Sequence, residues 1–268
     1  MLSRLMRDII KIKNIIENIF GLKVRLKSHD PFLVRSVPNY RYLPIINYIF
    51  LTGPLNIIEV GAHEGNFIKN ILKKVKNKNL NIFAFEPNPD AQKILKQVVG
   101  LDGRVKHFQY GLGAKDEELI LYRTRRSDLS SLNRPNNKYH SQKGDEYDNE
   151  KVLEIEDKIS VNIKTGDEFI RQNGISSVEV LSLNTQGTEL DVLNGLKESF
   201  ADEKIKSIII EVDFSSRYET NYSFLEVETF MQANNFVLFD INLIKNLKPV
   251  GIRMLDLFYV HKSKAPNR

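Results

Sequence analysis

Residues 57–65 read Ile57-Ile58-Glu59-Val60-Gly61-Ala62-His63-Glu64-Gly65. An apolar run broken only near its end passes into a turn with glycines four residues apart. A helix-like stretch follows directly from Asn66. Continuous rather than alternating hydrophobicity marks a strand covered on both faces, as in a parallel sheet. A second run of this kind, Ser207-Ile208-Ile209-Ile210-Glu211-Val212, lies far downstream.

Between and around these runs, strand-like and helix-like segments alternate. Asn56–Val60 precedes Asn66–Val75, Asn81–Phe85 precedes Asp90–Val98, and Arg104–Gln109 follows. Val180–Leu183 precedes Leu190–Phe200, and Ile205–Val212 precedes Phe224–Ala233. Such alternation with short connections gives an α/β fold with a doubly wound sheet. Leu119–Arg123 reads as a short extra strand, and Phe236–Asp240 and Leu257–Val260 as two more. Asn133–Glu150 is polar, Asn-rich and aperiodic, the signature of a lid or a disordered loop. Residues 1–55 form a lead-in, and residues 56–268 form the domain.

In an open α/β sheet, ligands bind beyond the carboxyl ends of the strands. The turn Gly61–Gly65 stands at such an end, and glycine lets backbone approach a ligand closely. The next strand ends at Glu86, 21 residues after Gly65. An acidic residue there is placed to accept hydrogen bonds from the ribose hydroxyls of a nucleoside cofactor. Pro87 and Pro89 fix the turn after it, and Asn88 suits the cap of the next helix. A dinucleotide fingerprint would read Gly-x-Gly-x-x-Gly and admit a pyrophosphate. Here the spacing is Glu-x-Gly-x-His-x-Gly. A carboxylate, Glu59, two residues before the first glycine disfavours a phosphate. It suits a cofactor with a positive centre, such as the sulfonium of S-adenosylmethionine.

The ordered series Ile57–Gly65, Phe85–Asn88, Tyr110–Gly113, Asp128–Leu132, Val161–Ile170, Leu181–Gly195 and Ile210–Val212 resembles the FkbM family of S-adenosylmethionine-dependent methyltransferases. The resemblance covers roughly residues 56–212. It implies a class I methyltransferase sheet, Rossmann-like, of order 3-2-1-4-5-7-6 with the last strand antiparallel. It also implies O-methylation of sugar, polysaccharide or natural-product hydroxyls. Carried onto this chain, the cofactor residues are Glu59, Gly61, Ala62, His63, Gly65, Glu86, Pro87, Asn88, Gly111 and Leu112. His63 either touches cofactor or substrate, or supports the residues that do.

Two blocks depart from the family pattern. Glu59 and His63 stand in the first and last places of a block that usually reads Asp-Val-Gly-Ala-Asn. Ser182, Asn184 and Gln186 replace Lys, Asp and Glu in the fourth-strand block, while Gly187 and Glu189 remain. Asn184 sits where a carboxylate would face the transferred methyl group. An amide orients a hydroxyl but is no base at neutral pH. The catalytic candidates are therefore Asn184 for orientation, and Glu211 or Glu189 for the proton. Glu211 closes the fifth strand after three isoleucines, a costly place for a carboxylate without a role. Glu189 alternatively complements a helix N-terminus. Ser130 and Ser131 shape the substrate pocket, and His140 lies in the polar loop. No His/Asp/Glu cluster has metal-ligand spacing.

Length and composition bound the remaining possibilities. The chain has 268 residues with 41% apolar and 27% charged, ample for a core. No apolar run approaches the roughly 18 residues needed to span a bilayer. Cysteine is absent, which excludes disulfides, thiolate metal sites and cysteine nucleophiles. Of the 39 basic and 34 acidic groups, seven basic and two acidic fall in residues 1–28, so the rest of the chain is neutral. A nucleic-acid binder would carry the excess on its folded body, so no nucleic-acid partner is expected. Leu2, Leu5, Met6, Ile9, Ile12, Ile16 and Ile19 recur at helical spacing. Residues 2–20 thus read as an amphipathic helix. It packs on the domain, pairs with a second copy in a homodimer, or docks on an anionic membrane surface. The expected location is the cytoplasm, with peripheral contact at the inner membrane face under the third reading. Two rival functions stay open: a catalytically weakened relative acting as a cofactor-binding interaction module, and a dinucleotide oxidoreductase.

Overall fold

The computed structural model describes residues 42–50, 52–136, 151–247 and 251–265, and of residues 243–247 and 251–252 the backbone alone. The expected helix 2–20 and residues 137–150 of the polar loop, His140 included, lie outside the described residues. Helix α1 (Leu43–Ile49) leads into β1 (Leu55–Val60), α2 (Asn66–Lys74), β2 (Leu80–Phe85), α3 (Pro89–Val99), β3 (Val105–Phe108), β4 (Gly111–Leu112) and β5 (Glu117–Thr124). After β6 (Ile155–Lys164) come α4 (Gly166–Gln172), β7 (Val180–Leu183), α5 (Glu189–Asn194), α6 (Lys197–Ala201) and β8 (Ser207–Asp213). Helix α7 (Phe224–Ala233) and the hairpin β9 (Phe236–Leu247) and β10 (Gly251–His261) complete it.

Seven strands form one sheet in the order β3-β2-β1-β7-β8-β10-β9. Counting only these strands along the chain, the order is 3-2-1-4-5-7-6, and β10 runs antiparallel to both neighbours. This is the α/β class read from the sequence. The alternate side chains of β8 explain why its apolar run is unbroken. Ile208 and Ile210 enter one core cluster and Ile209 the other, each at most 1% exposed. Each such side chain contributes about 1.5–3 kcal/mol by leaving water. Tyr42, Leu43 and Ile46 of the lead-in join the second cluster, where Tyr42 stacks on Phe258 at 5.1 Å between ring centroids.

One expected strand is present outside the main sheet, and two features differ from expectation. Strand Leu119–Arg123 belongs to a second, three-stranded sheet of order β4-β6-β5, whose longest strand, β6, carries no continuous apolar run. Its burial alternates, because its polar side chains face outward. The expected helix 190–200 is broken at Gly195 into α5 and α6. The last two strands extend well beyond 236–240 and 257–260. Asn242, Arg253 and Asp256 interrupt their apolar sequence yet are buried, so apolar continuity understated their length. Local signals held at the helix starts. Asn88 Oδ1 accepts from the Asp90 N–H at 3.1 Å, and Ser223 and Glu226 form a reciprocal capping box. Among the described residues, no helix is long and apolar enough to cross a membrane.

Candidate active site

A cavity of about 290 Å³ opens where the carboxyl ends of β1, β2, β7 and β8 converge. Its walls include Gly61, His63, Glu86, Pro87, Asn88, Gly111 and Leu112 from the expected cofactor set. Asn184 and Glu211 of the catalytic set line it too, as do Ser130 and Ser131. Its position follows from the topology: β1 and β7 are neighbours whose following connections leave in opposite directions, which opens a crevice between them.

Glu86 is the best-held carboxylate of the cofactor end. Its Oε2 accepts from the His63 backbone N–H at 2.8 Å, and its Oε1 from that of Asn88 at 2.8 Å. Each oxygen retains a further lone pair. Burial pushes the carboxyl up to about 7, while the two backbone donors favour the charged form. His63 adopts φ +47, an unusual backbone state for a non-glycine residue, and this aims its N–H at Glu86. Its ring Nε2 lies 2.9 Å from Oγ of Ser127, another residue of the cavity wall.

Glu59, Ala62 and Gly65 do not line the cavity. Glu59 is buried in the sheet beside Ser182, and burial pushes its carboxyl up to about 8. Gly65 is needed for packing: a Cβ there would stand 2.6 Å from Leu95 Cδ1. Gly61 lines the cavity, but its lack of a side chain serves the strand ends. A Cβ would fall 1.9 Å from the Asn184 carbonyl oxygen.

At the other end, Glu189 is committed to the chain. Its Oε1 accepts from the Thr185 N–H at 2.9 Å, and both oxygens accept from the Gly187 N–H at 3.1–3.2 Å. It holds the loop before α5 and does not face the main cavity. Glu211 is different. It is half-buried and open to the cavity, with Oε1 accepting from Gln186 Nε2 at 3.2 Å. Burial and the facing Asp256 raise its pKa, which Arg217 partly offsets. Gln186 Nε2 also donates to Asn184 Oδ1 at 2.7 Å. No motif in the sequence marks Gln186 as a contact of both residues, or marks Tyr218, Arg217 and Met254, which the fold brings in from the region after β8 and from β10.

The segment Ser127–Asn136 is laced to this end. Ser131 Oγ donates to the Gln186 carbonyl at 2.8 Å, and Asn133 Nδ2 to that of Gly187 at 2.7 Å. Tyr218 donates to the Leu129 carbonyl at 2.9 Å. Residues 127–132 of this segment form part of the cavity wall.

Residues 59–238 match the family described as the Methyltransferase FkbM domain. The 2-O-methyltransferase NoeI of Sinorhizobium fredii is 24% identical over 170 residues, covering 61% of this chain. This chain spans 65% of that relative's length. Among solved structures, an FkbM methyltransferase of Methylobacillus flagellatus superposes with a TM-score of 0.47 and 13% identity, over 76% of this chain and 43% of that one. TrmK of M. capricolum, with S-adenosyl-homocysteine, gives 0.46 and 13% over 87% and 72%. The family match extends over more than half of the residues and encloses every wall of the cavity except Met254, and on it the chain belongs to the FkbM methyltransferase family.

Proposed function

We propose that this protein is an S-adenosylmethionine-dependent O-methyltransferase acting on a hydroxyl of a sugar, polysaccharide or natural product. One observation carries the reading: Glu86 and Glu211, at the ends of β2 and β8, open into a single cavity. The residues fit the cofactor of the family. Glu86 keeps a lone pair on each oxygen for two ribose hydroxyls. Gly61 and His63 would flank the amino-acid end, and Pro87, Asn88, Gly111 and Leu112 the base. When bound, S-adenosylmethionine would supply an electrophilic methyl group and a neutral thioether as leaving group.

The protein's own residues do the rest. Asn184 and Glu211 hold the acceptor oxygen, and residues 127–132 wall the cavity beside it. Glu211 takes the hydroxyl proton, and a carboxyl with a raised pKa is a stronger base when ionised than an ordinary one. Glu189, spent on backbone amides, is not the base. Glu211→Gln keeps the shape and removes the basicity. It is expected to slow methyl transfer by roughly 10²–10⁴-fold, with calorimetric affinity for S-adenosylhomocysteine retained. A fully active Glu211→Gln enzyme rejects this base. A wild-type protein that binds S-adenosylhomocysteine but methylates no hydroxyl acceptor supports the interaction-module alternative that Asn184 raises.

A further inference from the structure

Arg217 is a buried cation with one nitrogen unspent. It is 1% exposed and stands in the segment after β8. Its backbone carbonyl accepts from the Asn136 N–H at 2.8 Å. Its Nε and Nη2 both lie 2.5 Å from Asp213 Oδ2, and Nη2 lies 3.6 Å from Met254 Sδ. Those contacts fix the plane of the guanidinium. Nη1 is buried and has no hydrogen-bond partner among the described residues. A guanidinium keeps its charge and all its hydrogens at every working pH, so Nη1 is a donor in any protonation state of its neighbours. Leaving such a donor unmatched away from water is costly.

A small cavity of about 20 Å³ adjoins the main one, and Gln186, Glu211 and Arg217 line both. Three carboxyls line the small cavity: Glu189, Glu211 and Asp213. Glu189 is held by backbone amides, and Asp213 by Arg217 and the Ser215 N–H. Among the described residues, Glu211 alone of the three accepts from neither a backbone amide nor a cation, its contact being the Gln186 side chain. Carboxyls also surround it: Asp256 from β10, Glu189 from α5 and Asp213 from its own strand. Arg217 opposes them, and acts on Glu211 more strongly than Asp213 does. An unmatched cationic donor and an uncompensated carboxyl thus face the same small space.

We infer that Arg217 is a positioning residue for the base: its Nη1 donates to the ionised Glu211 carboxylate and keeps that group charged until the acceptor's proton arrives. Asp213 serves the arrangement by holding the guanidinium from its other edge. Asp256 and Arg217 then act in opposite senses on one carboxyl, the first resisting its ionisation and the second favouring it. This inference rests on the reading of Glu211 as the base of a methyltransferase.

The test follows Glu211 itself. The full chain is labelled with glutamate carrying carbon-13 at the side-chain carboxyl, and the Glu211 signal is identified by its absence from Glu211→Gln. Its titration is read by NMR with S-adenosylhomocysteine bound, and methyl transfer to a panel of methyl pyranosides is measured across the same pH range. Arg217→Gln should raise the Glu211 midpoint by about one pH unit or more. The rising limb of the rate profile should move with it, which lowers the rate about tenfold at any pH on that limb. The plateau at high pH and the acceptor KM should stay near wild type. Arg217→Lys keeps the charge and should reverse most of the shift. If Arg217→Gln does not fold because Asp213 loses its partner, the double variant Asp213→Asn, Arg217→Gln removes both charges together. The midpoint should still rise, because Arg217 is the stronger influence. An unmoved midpoint overturns the inference, as does a limb left in place under a lowered plateau, the mark of a merely structural arginine. Transfer with an unmoved midpoint overturns it while leaving the methyltransferase reading intact. A raised midpoint in a protein whose wild type methylates no panel member does the reverse.

Discussion

Half-buried Glu211 and buried Asp256 are direct partners across the antiparallel pair β8–β10, two carboxyls on adjacent strands. Asp256 is fully buried, and among described side chains its Oδ2 accepts from Asn242 Nδ2 at 3.2 Å. Like charges this close resist simultaneous ionisation, and both groups are pushed up by burial. Arg217, Glu189 and Asp213 are the other charges acting on Glu211.

Asp256→Asn removes one of those negative charges. Ionising Glu211 then becomes easier, its pKa falls, and the rising limb of the methyl-transfer pH profile moves to lower pH. An unmoved limb, with the variant folded, shows that Asp256 does not tune the base.

Glu86→Ala should weaken S-adenosylmethionine binding by about 1.5–3 kcal/mol, the range for hydrogen bonds to a charged group. It also frees the backbone amides of His63 and Asn88, so the loss should sit at the upper end. Calorimetry on the folded variant decides, and unchanged affinity removes Glu86 as the ribose ligand.

Gly61→Ala meets two obstacles, the φ of +79 and the Asn184 carbonyl 1.9 Å from the new Cβ. At least about 2 kcal/mol of stability should be lost. Gly103→Ala, with nothing within 4 Å of its Cβ, is the control and should melt within about a degree of wild type.

Glu59 makes stability fall with pH. Its carboxyl stays neutral in the fold up to about 8, while in the unfolded chain it ionises near 4.5. Between these values the unfolded state releases a proton that the folded state keeps, so stability declines as pH rises. Glu59→Gln should flatten that decline and raise stability at pH 8 by on the order of 1–3 kcal/mol. Denaturant melts at pH 5 and pH 8 measure it; an equally steep decline in the variant shows that another group is responsible.

Much of the fold and half of the candidate site were legible in the residues. Glu86 and the glycine turn could be read because their placement follows from local order: a strand, its end, and the helix start set by Asn88. Strand β6 and the far ends of β9 and β10 were not legible. Their polar residues are matched across the sheet by partners remote in sequence, and apolar continuity is blind to that.

The sequence by itself determined the alternation that builds a doubly wound sheet, and so the edge at which a cleft must open. It also determined that Asn184 and Gln186 stand where carboxylates are usual. What those amides do was decided only by the tertiary structure. Glu211 lies 25 residues beyond Gln186, and Tyr218 lies 32 beyond it. An amide's donor and acceptor ends are interchangeable until fixed neighbours select between them. The same holds for the carboxylates. Glu59, Glu189 and Glu211 look alike along the chain, and only their surroundings leave one buried within the sheet, one tied to backbone amides, and one facing the cavity.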